Sequence, residues 1–288
     1  MTNRNAVIMA AGTSSRFVPL SQERPKGLLE VKGEILIERQ IRQLREAGIS
    51  DITVVTGYKA EMFHYLQDKF GVSVVMNEDY ARYNNTSSVV RILDRLGNTY
   101  LCSSDNYFTK NVFAEDPQES YYSALYADGE TSEYCIVTDA TGSIKDVRIG
   151  GRDSWYMVGH AYFTRSFSAI FSKILRDEYT RPETRRQYWE DVYIRHIDVL
   201  PMKINKYEAG DVFEFDTLDE LRLFDKSYVT DTRSSVIKAI CRQTGWKESD
   251  LHDFKKADRS CQPLTFSFSV GERRYIYDSL AKESITEI

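Results

Sequence analysis

The chain has 288 residues, 42% of them hydrophobic and 28% charged, with a formal net charge of -5. That length supports one α/β domain with a large core and a small appendage. The acidic balance excludes a dedicated nucleic-acid-binding surface, which needs an excess of Lys and Arg, but leaves room for a local basic pocket that holds a nucleotide.

In chain order, Ala6 to Ala11 is a continuous apolar run of strand length, as a central parallel strand requires. A loop of small residues follows, Gly12-Thr13-Ser14-Ser15, and then Arg16. Ile37, Ile41 and Leu44 have helical spacing, and Gly48 suits the helix C-cap. Next come a strand (Ile52 to Thr56), a helix around Phe63 and Leu66, a strand (Val72 to Met76), a helix (Val89 to Leu96) and a strand (Thr99 to Ser103). This alternation indicates βαβ units around a mostly parallel, Rossmann-like sheet, so the fold class is α/β. Beyond Asp105 the texture changes to strand-like runs at Tyr121–Tyr126, Tyr134–Thr138, Ile144–Ile149 and Trp155–Phe163, which suggests a mixed sheet. Helices are expected around Phe167 to Ile174, over Glu183 to His196 and over Leu218 to Phe224. A boundary is expected between Ser227 and Thr232, dividing residues 1–228 from a small α+β segment, 229–288. That segment reads as a helix (Ser234 to Gly245) and a hairpin of Leu264–Val270 with Arg274–Tyr277.

Cys102, Cys135, Cys241 and Cys261 show no metal or redox spacing and read as idle thiols of a reducing compartment. The chain enters a strand almost at its start and has no apolar run of about 18 residues. A cytoplasmic protein without membrane insertion is the expectation.

A loop of small residues after a buried strand can offer its backbone N–H groups to phosphates, and Arg16 and Lys26 add charge-assisted contacts. Read alone, it is equally an ordinary βα turn. It is neither a Walker A motif nor a dinucleotide fingerprint, because it lacks Gly-Lys-Ser/Thr and GxGxxG. Asp105 follows a strand, at the sheet edge where open α/β folds bind ligands. Asp216 opens Asp216-Thr217-Leu218-Asp219-Glu220, where a metal ligand and a helix cap are both reasonable readings. The chain holds 19 tyrosines, 14 phenylalanines and three tryptophans, most of which must be core. Some lie beside acids, as in Glu133-Tyr134, Trp155-Tyr156 and Tyr188-Trp189-Glu190-Asp191, the combination that recognises a quaternary ammonium.

Taken whole, AAGTSSRFVPLSQERPKGLLEVKGEILIERQI resembles the opening signature of the nucleotidyltransferases that activate sugar phosphates and phosphocholine. Gly12, Arg16, Pro19, Pro25, Lys26, Leu29 and Gly33 stand in register, and Ser14 replaces a glycine. Tyr83-Asn84-Asn85 with Ser88, SSDNYF at 103–108, Gly159-His160, Tyr188 to Asp191 and EFDTLDEL at 214–221 narrow the resemblance to bacterial choline-phosphate cytidylyltransferases, over roughly residues 4–226.

The resemblance implies a cytidylyltransferase that joins CTP and phosphocholine into CDP-choline and pyrophosphate with Mg²⁺ held by Asp105 and Asp216. It assigns Lys26, Arg16 and Asp105 to catalysis. Nucleotide binding falls to Ala10, Ala11, Gly12, Thr13, Ser14, Ser15, Asn85 and Ser88. The acceptor falls to Tyr134, Tyr188, Trp189, Glu190 and Trp155. Ser103 stands where the family often has Asp, and Tyr134 where Trp is common. The same chemistry on 2-aminoethylphosphonate, phosphoethanolamine or a sugar 1-phosphate is the nearest alternative, and a non-catalytic nucleotide-binding regulator is a second. Residues 232–288 resemble the first segment of choline/ethanolamine kinases without their catalytic residues. This tail is a truncation or a relic kept for packing or for the contacts of a homodimer.

Overall fold

The computed structural model describes residues 4–113, 116–256, 265–279 and 284–288. In chain order its strands are β1 (Arg4–Ala10), β2 (Glu30–Val31), β3 (Glu34–Ile35), β4 (Ile52–Thr56), β5 (Ser73–Met76), β6 (Asn98–Ser103), β7 (Asn106–Phe108), β8 (Tyr121–Thr138), β9 (Ile144–Phe163) and β10 (Lys203–Lys206). They continue with β11 (Val212–Glu214), β12 (Leu251–Lys256), β13 (Thr265–Val270), β14 (Arg273–Asp278) and β15 (Ser284–Glu287). The chain divides into two compact units, residues 1–12 with 36–214 and residues 13–35 with 215–288.

The first unit is built on a seven-stranded sheet of order β10-β8-β9-β6-β1-β4-β5. β1 lies parallel to β4 and β6, and β9 pairs antiparallel with both β6 and β8. This is the mostly parallel, mixed α/β sheet expected. β1 is central because Ala6, Val7 and Ile8 are all buried and leave neither face polar. The helix Leu36–Glu46 lays Ile37, Ile41 and Leu44 on the core, and Gly48 ends it at φ 78°. In register, Ala10 faces Thr56 and Met9 faces Ser103. The chain therefore leaves β1, β4 and β6 at one edge of the sheet, as Gly12, Gly57 and Asp105.

Three local expectations change. The four strand runs after Asp105 are two long strands, because bulges between Ala127 and Glu130 and between Thr131 and Tyr134 let β8 stay paired through its polar middle. The helix expected at Val89–Leu96 is a short α-helix, Thr86–Val89, continued as a 3-10 turn, Val90–Arg95. The helix expected over Glu183–His196 is two, Pro182–Arg185 and Trp189–Arg195. Tyr188 is extended at φ -73°, ψ 154°, and its N–H donates to Asp191 Oδ2 at 2.9 Å, so a new N-terminus starts there.

The second unit gathers residues 13–35 with the chain after Phe215. Lys32 N–H donates to Asp225 Oδ2 at 2.7 Å, and Tyr228 O–H to the Glu30 carbonyl at 2.7 Å. Glu23 accepts from the Ser235 N–H at 2.8 Å, beside the start of the helix Ser235–Thr244. These bonds between distant segments explain why the compact units do not part at residue 228. β12 to β15 form an antiparallel sheet over Phe254, Phe266, Phe268 and Tyr277. The hairpin of β13 and β14 turns at Gly271, φ 58°; Leu264 and Cys261 lie outside the described residues.

Candidate functional site

The loop after β1 falls partly in each unit. In the first, Ala10 and Ala11 are buried, and the Ala11 carbonyl accepts from the Tyr58 N–H at 3.1 Å. A Cβ on Gly57 would lie 2.9 Å from that carbonyl and 2.6 Å from Tyr80, so only glycine allows β4 to exit there. Gly12 is exposed, and nothing lies within 4 Å of where its Cβ would be, which leaves its backbone open to an anion.

In the second unit Thr13, Ser15 and Arg16 are exposed, and Ser14 holds the left-handed conformation at φ 48°, ψ 46°. Serine in place of glycine therefore costs of order 1 kcal/mol of backbone strain. The Ser14 carbonyl accepts from the Phe17 N–H at 2.9 Å, closing the turn that presents Arg16. Arg16 Nη1 lies 2.9 Å from Asp216 Oδ2, and Lys26 Nζ 3.4 Å from Asp216 Oδ1. Lys26 is only 5% exposed, an ammonium that burial would penalise without a partner. Thr217 caps the helix Leu218–Phe224 by accepting from the Glu220 N–H at 3.2 Å. With the cap supplied by Thr217, the Asp216 carboxylate is left to the two cations. Two cations on one carboxylate also suit an anionic ligand that brings a divalent cation with it.

Asp105, in the first unit, is half-buried between β6 and β7, where Ser104 N–H donates to the Met9 carbonyl at 3.1 Å. No cluster of three or more His, Cys, Asp or Glu able to hold a metal occurs among the described residues. Single carboxylates suffice for Mg²⁺, which takes hard oxygen ligands and retains water.

A second constellation assembles within the first unit from residues far apart in sequence. Trp189 N–H donates to Asn85 Oδ1 at 2.7 Å, and Asn85 Nδ2 donates to Glu190 Oε2 at 3.3 Å. Tyr122 O–H donates to Glu190 Oε1 at 2.9 Å, and Tyr134 O–H to Asp191 Oδ1 at 3.2 Å. Tyr134 and Tyr188 meet edge to face at 6.5 Å, and Tyr188 is exposed. Burial raises the Glu190 carboxyl to about 7, against the hydrogen bonds from Asn85 and Tyr122. Burial, then the Asp191 charge, raises the Tyr134 phenol, so it stays a donor.

Four site residues expected from sequence are engaged in other contacts. Trp189 is 1% exposed, stacked on Tyr122 at 5.6 Å and edged by Phe163 and Phe171, so its ring is core and offers no face to a ligand. Ser88 is buried and accepts from Asn77 Nδ2 at 3.0 Å, while Asn85 spends its amide on Trp189 and Glu190. Asn85 therefore braces the 188–191 turn, and Ser88 braces Asn77. Trp155 pairs with Tyr126 at 5.3 Å, and Lys206 Nζ covers its ring at 4.6 Å. Conversely, Tyr122 and Gly57 were not anticipated.

A MobA-like NTP transferase domain matches residues 6–115. The chain is 35% identical to the 2-aminoethylphosphonate cytidylyltransferase of Lancefieldella rimae, over 80% of this chain and 95% of that protein. It is 30% identical to the choline-phosphate cytidylyltransferase of Streptococcus pneumoniae, over 77% of this chain and 96% of that protein. The chain belongs to the bacterial choline-phosphate cytidylyltransferase family. The solved CTP:phosphocholine cytidylyltransferase of S. pneumoniae superposes with a TM-score of 0.75 at 30% identity, covering 78% of this chain and 99% of that one. About a fifth of this chain has no counterpart in these cytidylyltransferases, which are themselves matched almost end to end.

Proposed function

We propose that the chain transfers a cytidylyl group from CTP to phosphocholine, yielding CDP-choline and pyrophosphate. The observation that carries the acceptor is the edge-to-face pair of Tyr134 and Tyr188, both bonded to Asp191, on the turn that also carries Glu190. A quaternary ammonium donates no hydrogen bond, so aromatic rings with fixed negative charge nearby are what can recognise it. An oxygen of the acceptor phosphate attacks the α-phosphorus, and the bond from that phosphorus to the bridging oxygen of the leaving pyrophosphate breaks. The nucleophile is anionic near neutral pH, so positioning and charge neutralisation suffice and no general base is required. Arg16 and the loop amides take the leaving pyrophosphate, and Lys26 the α- or acceptor phosphate. As the family resemblance implies, Asp105 and Asp216 would each be a carboxylate ligand for Mg²⁺, which would supply charge neutralisation on the phosphates. No helix among the described residues is long and apolar enough to cross a membrane. Cytoplasmic residence fits the use of CTP and the free thiols of Cys102, Cys135 and Cys241.

A second reading, 2-aminoethylphosphonate as acceptor, is favoured by the 35% identical relative and by Glu190 and Asp191, because a primary ammonium seeks hydrogen-bond acceptors. The test is pyrophosphate release with CTP and other triphosphates against phosphocholine, 2-aminoethylphosphonate, phosphoethanolamine and sugar 1-phosphates. Chelation should abolish turnover, and Mg²⁺ should restore it. Preference for phosphocholine supports the first reading; exclusive use of the phosphonate supports the second. Turnover only with a sugar phosphate, or with no pair, refutes both.

A further inference from the structure

The appended sheet walls a cavity beside the phosphate loop. Within the second unit, Ser15, Arg16, Thr217 and Asp219 on one side and Asp253, Phe254, Lys255 and Lys256 of β12 on the other enclose about 430 Å³. The enclosure is braced. Buried Arg222, on the helix that follows Asp216, donates through Nη2 to the Glu248 carbonyl at 2.7 Å and through Nε to the Tyr228 carbonyl at 3.2 Å; Nη1 reaches Leu251. Asp253 N–H donates to Asp219 Oδ2 at 2.7 Å from a bulge of β12, where Asp253 holds φ 52°.

The charges of this cavity are uneven. Its two acids already have cations, Asp219 with Arg222 at 3.2 Å and Asp253 with Arg274 at 2.8 Å. Lys255 reaches Asp253 at 3.0 Å with its side chain 62% exposed, and Lys256 makes no ion pair among the described residues. Arg16, shared with Asp216, completes a basic rim over a floor formed by buried Phe254.

We infer that Lys255 and Lys256 extend the polyphosphate subsite, binding the terminal phosphates of CTP and the departing pyrophosphate beside Arg16. The inference rests on the cytidylyltransferase reading and assigns the tail a part in it: this chain carries its own wall for the leaving group. The bulge matters because Asp253 takes the extra position and turns Phe254 into the core, which leaves the two lysines at the rim.

The test uses the full chain with Lys255→Ala/Lys256→Ala. Calorimetric titration with inorganic pyrophosphate and Mg²⁺ should show a Kd raised roughly tenfold, as should the KM for CTP, with weaker salt dependence of both. The acceptor KM and the melting temperature should be unchanged, and Lys255→Arg/Lys256→Arg should bind as the parent does. A pyrophosphate Kd within about twofold of the parent's, in a variant that melts normally, overturns the inference. If the parent turns over no acceptor, the cytidylyltransferase reading fails, yet the pyrophosphate titration still reads the lysines on its own.

Discussion

Glu190 is held protonated up to about pH 7 instead of the usual 4.5, chiefly by burial, with Asp191 adding a like charge. Ionising it in place costs roughly 3 kcal/mol at 1.36 kcal/mol per pH unit. The native carboxyl keeps a proton that the unfolded chain has lost between pH 4.5 and 7. Stability from this group is thus fully present below the unfolded value and is lost as pH rises through 7. Glu190→Gln keeps the shape and cannot ionise. Without ligand, it should melt near the parent at pH 5. At pH 8 it should be more stable by about 1–2 kcal/mol, the full cost being reduced for partial solvent access, or about 2–6 °C by thermal unfolding. With phosphocholine the order reverses, because the ligand's cation recovers the ionised form. The parent-to-variant ratio of kcat/KM should climb about tenfold from pH 6 to pH 8 as the ionised fraction rises from about one-tenth to nine-tenths. Taking the ratio removes the titration of the acceptor phosphate itself. An equal melting difference at both pH values, or a flat ratio, refutes the reasoning.

Lys26→Met keeps the buried stem and removes the charge that meets Asp216; kcat should fall by roughly 10²–10³, as for one lost electrostatic donor, while the melting temperature changes little. Trp189→Ala should cost about 3–5 kcal/mol of stability, as buried tryptophans do, whereas Tyr188→Ala should leave stability nearly untouched and raise the acceptor KM. Ser14→Gly should relieve the left-handed strain and stabilise by about 0.5–1 kcal/mol in denaturant titration, with the CTP KM within about twofold.

The strands and loops of the nucleotide half were legible because their signals are local. A run such as Ala6-Val7-Ile8 is apolar on both faces, and only a central strand buries both. The loop from Gly12 to Arg16 and Lys26 follows within one contiguous signature. For Asp216 the sequence left a metal ligand and a helix cap open; the cap falls to Thr217, and Asp216 meets Arg16 and Lys26. β12 was missed because Asp253 breaks the alternation of Leu251 and Phe254, and a bulge cannot be told from a loop by period. The long arm of β8 and β9 was read as four pieces for a related reason, since Gly129 and the polar residues around it look like a turn.

The acceptor side resisted for a different reason. Tyr188, Trp189, Glu190 and Asp191 read as one aromatic-acidic motif, yet a helix N-terminus at Trp189 sends consecutive side chains to opposite fates. Trp189 enters the core, Glu190 turns to Tyr122 and Asn85, and Asp191 turns back to cap Tyr188 and to meet Tyr134. What the motif encodes is therefore a hinge point of chain direction that brings two carboxylates to bear, with a tryptophan as its anchor. Tyr122 and Asn85 complete it from 68 and 105 residues away in sequence, and no spacing rule links them to the motif. If this turn faces the acceptor's cation, as proposed above, Glu190, with its carboxyl pushed up to about 7, is the group whose charge changes near neutral pH, and its substitution is the direct test of that placement.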